Sequence, residues 1–299
     1  MPFNFFKFSF LFIAAASSSL IAQDLKSDEE TAPPTKKVQI SWPEADFGDP
    51  VIRGRAFKPG ESFTYRTQWG IFRKAGFMTL SVEAPADETS ETMLIKSSSD
   101  SKGFIKTIYP VSYDTTSILD SNTWRVLSNE TKGETRGDST HSKSTFDYEK
   151  MLMTHDDPSN PHRNGSKEIP YPVVLDYSAS LLQVRGWDLK EGEKYPLMVG
   201  TKGKFYFTEM QVFATETIKT KFGKIEAFRI QPVNPVPQGK IFRDGGGMTL
   251  WVSTDERRIL LRIDIATKYG TASMKLEEFT LSDESKQAKI VAPQSQPSS

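Results

Sequence analysis

Through the middle of the chain apolar and polar residues alternate with a period of two, which is the pattern of half-buried β-strands. In FTYRTQW, Phe63, Tyr65 and Trp69 share one face, while Thr64, Arg66 and Gln68 share the other. In GFMTLSVEA, Met78, Leu80 and Val82 oppose Thr79, Ser81 and Glu83, and GIFRKAG between the two runs predicts a hairpin connection with glycine at each end. Further strands are expected at Met93–Ser97, Phe104–Tyr113, Trp124–Ser128, Thr145–Thr154, Tyr195–Gly200, Lys204–Ile218 and Lys224–Val233. Within Lys204–Ala214 the apolar phase switches from Phe205 and Phe207 to Met210 and Val212, which predicts a bulge and a curved sheet. TKGK at 201–204 and KFGK at 221–224 place glycine where a tight turn requires positive φ.

The stretch IFRDGGGMTLWVSTDERRILLRIDI, Ile241 to Ile265, poses a choice between a phosphate cradle and a bend in a sheet. A phosphate loop needs its glycines to open a helix whose free N–H groups meet the anion. Here they open a strand, with Met248, Leu250 and Val252 alternating against Thr249, Trp251 and Ser253, and the chain returns after TDER through Ile259, Leu261, Ile263 and Ile265. The reading is therefore a β-hairpin, with Gly245 to Gly247 as a sharp bend or bulge at its start. One segment departs from period two: LDYSASLLQVRGW, Leu175 to Trp187, offers Asp176 as N-cap, a short apolar helical run and Gly186 as a stop. The expected fold is all-β, an antiparallel curved sheet or incomplete β-barrel of about ten strands with one short helix packed on its concave side.

Composition adds a location. Residues 1–22, MPFNFFKFSFLFIAAASSSLIA, hold one Lys, no acid and a short apolar block that leads into small residues, and they read as a secretory signal cleaved after Ala22. Residues 23–50 read as a flexible linker, 51–281 as a single β domain and 282–299 as a disordered tail. After loss of the signal no integral membrane segment is expected, and the absence of cysteine means neither a disulfide nor a lipidated cysteine. Basic and acidic residues number 38 each, which argues against nucleic acid as a partner. These features predict export to the periplasm or outer envelope of a Gram-negative-type bacterium.

Candidate chemistry is sparse. THDDPSNPH carries His155, Asp156, Asp157 and His162, residue types that suit a metal, but the run is rich in Pro, Asn and Ser and lacks the helical spacing that presents two imidazoles on one face. With His141 these are the three histidines of the chain, and no Gly-x-Ser-x-Gly elbow accompanies them. No cofactor, metal or catalytic residue is assigned, and the balance is against an enzyme. The aromatics Trp69, Tyr109, Trp187, Phe205, Phe207 and Trp251 either line an apolar cavity or fill the core. Arg185, at the end of the predicted helix, is either a salt-bridge anchor or a ligand contact. Trp69, Arg185 and Trp251 are the residues carried forward as a candidate ligand site.

GESFTYRTQWGIFRKAGFMTL, DYSASLLQVRGWDLKEGEKYPLMV and GGGMTLWVSTDERRILLRIDIATKYGTASMKL, in that order over most of Gly60 to Leu276, resemble a bacterial exported family numbered 3108 among domains of unknown function. The resemblance implies an envelope protein of antiparallel β structure and assigns no activity, cofactor or site residue. The chain departs from it at Arg258-Ile259-Leu260, where similar sequences place Pro, and in a longer polar insertion around Asp156 to Lys167. The expected role is a non-catalytic envelope protein holding a lipophilic or glycan-like ligand, or a partner chain, in the concavity of its sheet. Two other readings stay open: an envelope hydrolase, possibly metal-assisted, built on the His155–His162 loop, and a structural or assembly protein.

Overall fold

The computed structural model describes residues 40–85, 87, 89–237, 247–267 and 270–282. The expected signal, most of the linker, the C-terminal tail beyond Ser282 and the glycines Gly245 and Gly246 lie outside the described residues. The first meander comprises β1 (Ser62–Trp69), β2 (Phe72–Glu83), β3 (Thr92–Ser101), β4 (Val111–Asp120), β5 (Val126–Thr135), β6 (Asp138–Asp147), β7 (Leu152–Asp156) and β8 (Gly165–Glu168). The second comprises β9 (Lys194–Thr201), β10 (Lys204–Thr220), β11 (Gly223–Val236), β12 (Gly247–Ser253), β13 (Leu260–Thr267) and β14 (Gly270–Thr280). They join where β1 pairs with β14, giving one open antiparallel sheet in the order β8-β7-β6-β5-β4-β3-β2-β1-β14-β13-β12-β11-β10-β9.

The sheet curls far enough for its two arms to share a connecting segment. Val126 N donates to Val174 O at 3.0 Å, Leu175 N to Met198 O at 3.0 Å and Gly200 N to Leu175 O at 2.8 Å, so residues 174–175 run between the start of β5 and β9. The bulge expected near Lys204–Ala214 is present: pairing of β10 with β11 shifts between Phe207 and Glu209 and again between Val212 and Ala214. Thr208 Oγ1 donates to Val233 O at 2.8 Å beside the first shift. The two glycine turns form as expected, with φ of 70° at Gly203 and 105° at Gly223.

Several expectations are corrected. Among the described residues there are fourteen strands where about ten were expected: β8 carries no apolar face to reveal it, the run expected at Thr145–Thr154 spans two strands, and β14 was not among the expected strands. The strand expected at Phe104–Tyr113 is divided into helix α2 (Gly103–Ile108) and the start of β4. Phe104, Ile105, Ile108 and Tyr109 are spaced one and four apart, a helical period overlooked within a short run. The strand expected at Thr145–Thr154 turns back at Tyr148–Met151, where Asp147 accepts from Glu149 N and Lys150 N, and so forms β6 and β7. The first hairpin connection is only Gly70 and Ile71, since Trp69 already pairs with Phe72. Of the expected linker, Trp42, Ala45 and Phe47 pack on the core, followed by helix α1 (Pro50–Gly54).

The expected helix forms as α3 (Tyr177–Gln183), with Asp176 Oδ1 accepting from Ala179 N at 2.9 Å. Ala179, Leu181, Leu182 and Val184 are buried in the main core, which also takes in Phe63, Tyr65, Ile95, Met210, Ile230 and Ile263. One short helix was expected; α1, α2 and the 3-10 turn Pro161–Arg163 are additional.

Candidate ligand-binding face

The inward face of the sheet has two chemistries. On β1, β2, β12, β13 and β14 it presents Phe63, Met78, Leu80, Leu250, Ile263 and Met274, all buried. On β3 to β7 the same alternation presents Ser97, Ser99, Thr115, Ser117, Asn129, Thr131, Ser142, Ser144 and His155. Seven of these nine side chains carry hydroxyls, and neighbouring strands join them: Thr115 Oγ1 lies 3.0 Å from Thr131 Oγ1, and Ser144 Oγ lies 2.9 Å from His155 Nδ1. Ser97, Asn129 and Thr131 are half-buried, and Ser117, Ser142 and Ser144 are buried. A hydroxyl both donates and accepts, so this wall offers hydrogen bonds in either sense to a polyhydroxylated or phosphorylated head, beside a wall that offers only apolar surface.

Helix α3 is fastened to the hydroxyl wall. Ser97 Oγ and Ser178 Oγ are 2.8 Å apart, and Asp176 Oδ2 accepts from Ser117 Oγ at 2.8 Å and from Asn129 Nδ2 at 2.9 Å. Burial raises the Asp176 carboxyl above the usual carboxylate range, while the hydrogen bonds from Ala179 N–H, Ser117, Ser178 N–H and Asn129 act in the opposite direction. Its donors here are neutral groups, so ionisation places an uncompensated charge in the protein interior.

At the far edge of this wall the β9–β10 turn covers His155. A Cβ on Gly203 would lie 3.1 Å from His155 Cδ2 and 3.2 Å from Arg163 O, so glycine is required both by φ and by contact. Asp157 is buried, accepting from Asn160 Nδ2 at 3.1 Å, with Arg163 Nη1 at 3.7 Å. Burial, with Arg163 adding to it and Asp157 opposing it, pulls the Lys202 ammonium down to about 7. His155 is also lowered, chiefly by burial, and its Nε2 is buried without a hydrogen-bond partner among the described residues. No acid therefore completes a Ser-His-acid arrangement at Ser144. His162 lies on the exposed 3-10 turn, and His141 points outward to Glu130 at 2.8 Å. Among the described residues no group of three or more His, Cys, Asp and Glu converges, the His155–His162 loop included.

Trp69, Arg185 and Trp251 are not brought together. Trp69 is half-buried at the end of β1, stacked on Phe72 at 6.4 Å. Trp251 lies opposite in phase to Leu250 and Val252 yet is buried at the margin of the main core, where Nε1 donates to Glu216 at 2.5 Å and the Arg262 guanidinium sits 4.6 Å over the ring. Arg185 is buried, with Nη1 on Glu61 Oε2 at 2.7 Å, Nε donating to Arg258 O at 3.0 Å and the guanidinium 4.6 Å over Phe63. Phe205, Phe207 and Trp187 belong to the core, and Tyr109 to a satellite cluster under α2. The hydroxyl wall itself was missed, although serine and threonine at 97, 99, 115, 117, 142 and 144 repeat with the strand period. A search for apolar alternation passes over polar alternation.

From β1 through β14, over residues 64–277, the sequence matches the profile of DUF3108, a protein family of unknown function. The chain belongs to this family. Its fold is similar to that of a β-barrel-like protein of the DUF1849 domain of unknown function from Brucella abortus, with 9% identity, a TM-score of 0.50 and coverage of 75% of this chain and 98% of that one. Weaker overlap, with a TM-score of 0.24 and 13% identity over 78% of this chain and 96% of that one, is found with the lipoprotein LppX of Mycobacterium tuberculosis. Comparison with curated proteins gives no match. Membership in DUF3108 and the β-barrel-like neighbour together fix the fold, and neither brings a site residue.

Proposed function

We propose that this DUF3108 protein is an exported, non-catalytic component of the bacterial envelope that holds an amphiphilic ligand, of lipid or glycan-like chemistry, against the concave face of its sheet. One observation carries the reading: a patch of hydroxyls across the middle of β3 to β6, flanked by Ile95, Phe146 and Met153, stands on the same inward face as the methyl-rich wall of β1, β2 and β12 to β14. These hydroxyls find partners in one another and in α3, but each can both donate and accept, and Ser97, Asn129 and Thr131, only half-buried, keep capacity for a further partner. A ligand with a polar head and an apolar body satisfies both walls. Export rests on the signal-like residues 1–22, and the absence of cysteine leaves no thiol for lipid attachment.

Native mass spectrometry of protein purified from its own host, followed by extraction of whatever is bound, tests the reading. A copurifying lipid or glycolipid is expected. Thr131→Trp, which pushes an indole into the half-buried wall, should eliminate it while leaving the melting temperature within about 3 °C. Thr131→Val, which keeps the volume, should weaken retention only partly. Wild-type protein that emerges empty from its host overturns the proposal, as does a ligand retained equally by Thr131→Trp.

A further inference from the structure

The rim formed by the β1–β2 turn, the β3–β4 connection and the β5–β6 turn carries apolar side chains that the fold leaves uncovered. Ile71 at the hairpin tip is 88% exposed, and Phe104 and Ile108, one turn apart on α2, are 62% and 47% exposed. They are held from beneath. Phe72 stacks between Trp69 and Phe104, at 6.4 and 5.8 Å, and Ile105 and Tyr109 bury the other side of α2 with Ala75. The apolar points therefore rest on a firm base, and they stand on two separate turns.

The charge around that tip has one sign. Segments 69–75, 102–110 and 135–137 contain Arg73, Lys74, Lys102, Lys106 and Arg136, all exposed, and no acidic residue. None of these five takes part in the ion pairs among the described residues. Flanking carboxylates are Asp100, which accepts from Ser112 Oγ, and Glu134 and Asp138 beyond the β5–β6 turn. Protruding isoleucine and phenylalanine within a collar of lysine and arginine match a bilayer interface, where apolar side chains enter the acyl boundary and cations stay with anionic headgroups.

We propose that this rim docks the protein on the surface of a membrane containing anionic phospholipid, by insertion of Ile71, Phe104 and Ile108 and attraction of the surrounding cations. Docking does not depend on what the concavity holds. It is peripheral and reversible, since three side chains and five charges are far from the apolar length of a spanning segment.

The chain has no cysteine, so Ile71→Cys carries a single environment-sensitive dye at the tip, and Val51→Cys, 72% exposed on α1 at the other end of the sheet, carries the control. Vesicles of phosphatidylcholine with about one third phosphatidylglycerol should shift the dye at 71 to the blue and leave the dye at 51 unchanged, and raised salt should reverse the shift. In sedimentation with the same vesicles, Phe104→Asp combined with Lys102→Glu and Lys106→Glu should lower partitioning about tenfold relative to wild type with an unchanged melting temperature. The substituted side chains are exposed, and any contribution of the N-terminal segment is common to both proteins. Equal partitioning of wild type and variant, a shift at 51 equal to that at 71, or indifference to phosphatidylglycerol would each overturn the proposal. So would wild-type protein that ignores vesicles but crosslinks through position 104 to an envelope protein.

Discussion

Arg185 Nη1 meets Glu61 Oε2 at 2.7 Å, both side chains almost wholly withdrawn from water, and so ties the end of α3 to the residue that precedes β1. Further donors of the same guanidinium reach Arg258 O at 3.0 Å and Arg257 O at 3.4 Å, on the connection into β13. One side chain thus fixes the helix to the segments that lead into β1 and β13.

Removing Arg185 leaves the Glu61 carboxylate in the interior without its cation. Arg185→Ala should destabilise the fold by about 3–5 kcal/mol in urea unfolding, the cost typical of breaking a buried pair. Arg185→Lys should recover little of it, because an ammonium cannot fork to a carboxylate and several carbonyls at once. The exposed pair of Arg55 and Asp188 at 2.9 Å provides the contrast, and Arg55→Ala should cost under about 1 kcal/mol. Equal midpoints for the Arg185→Ala and wild-type proteins would show that the pair does not anchor the helix.

Asp176 should show its burial in the pH dependence of stability. Its folded-state pKa is raised, so the folded protein holds a proton that the unfolded chain releases at about 3.9, and stability falls as pH rises from there through the folded value. Asp176→Asn keeps an N-cap acceptor and removes the titration, so relative to wild type it should gain stability as pH rises across that window. Asp176→Ala, which strands Ser117, Asn129 and Ala179 N–H, should cost about 3 kcal/mol at acid pH and less as pH rises through the window, because it removes the same titration. Parallel stability curves for wild type and Asp176→Asn would refute the raised pKa.

The curl of the sheet depends on a close approach at Gly200. A Cβ there would lie 2.8 Å from Val174 Cγ1 and 2.9 Å from Phe146 Cε1, where the 174–175 segment passes between the arms. Gly200→Val should destabilise by about 2 kcal/mol or more through overpacking, and amide exchange at Leu175 and Gly200, which hydrogen-bond across that junction, should accelerate beyond the rest of the sheet. Uniform acceleration over all strands would mean that the junction has no separate stability.

Much of this architecture was legible in the sequence, and the failures share a cause. Asp176, Gly186 and the apolar run between them identified α3, and the shift from Phe207 to Met210 identified the bulge in β10, because both signals are apolar and local. Thr131, Ser142 and Ser144 alternate as strictly as Phe63 and Tyr65 do, yet polar alternation reads equally well as a loop until pairing partners supply the missing surface. Trp69 and Trp251 were grouped as a site because they are large and aromatic. The alternation of Trp251 against Leu250 and Val252 already set it on the other face, and the structure pairs it there with Arg229 and Arg262. Glu61 carried no signal of its own, since a pair separated by 124 positions cannot be read from spacing.

Ser144 and His155 form a hydrogen-bonded pair that resembles the beginning of a hydrolase site, and the non-catalytic reading expects it to be unreactive. His155 Nε2 has no hydrogen-bond partner among the described residues, so no carboxylate there fixes the ring's orientation, and burial outweighs the attraction of Asp157 and Asp156 for an imidazolium. Burial lowers the His155 pKa, and Ser144 is itself withdrawn from solvent. A fluorophosphonate probe applied to the folded protein at neutral pH should therefore leave Ser144 unlabelled. The lowered pKa also has a signed consequence for stability. The unfolded chain takes up a proton at about 6.5 and the folded ring only at lower pH, so His155 contributes a loss of stability as pH falls below that point, and His155→Gln should flatten it. Covalent labelling of Ser144, abolished by His155→Gln with the fold intact, would restore the hydrolase reading and displace the non-catalytic one.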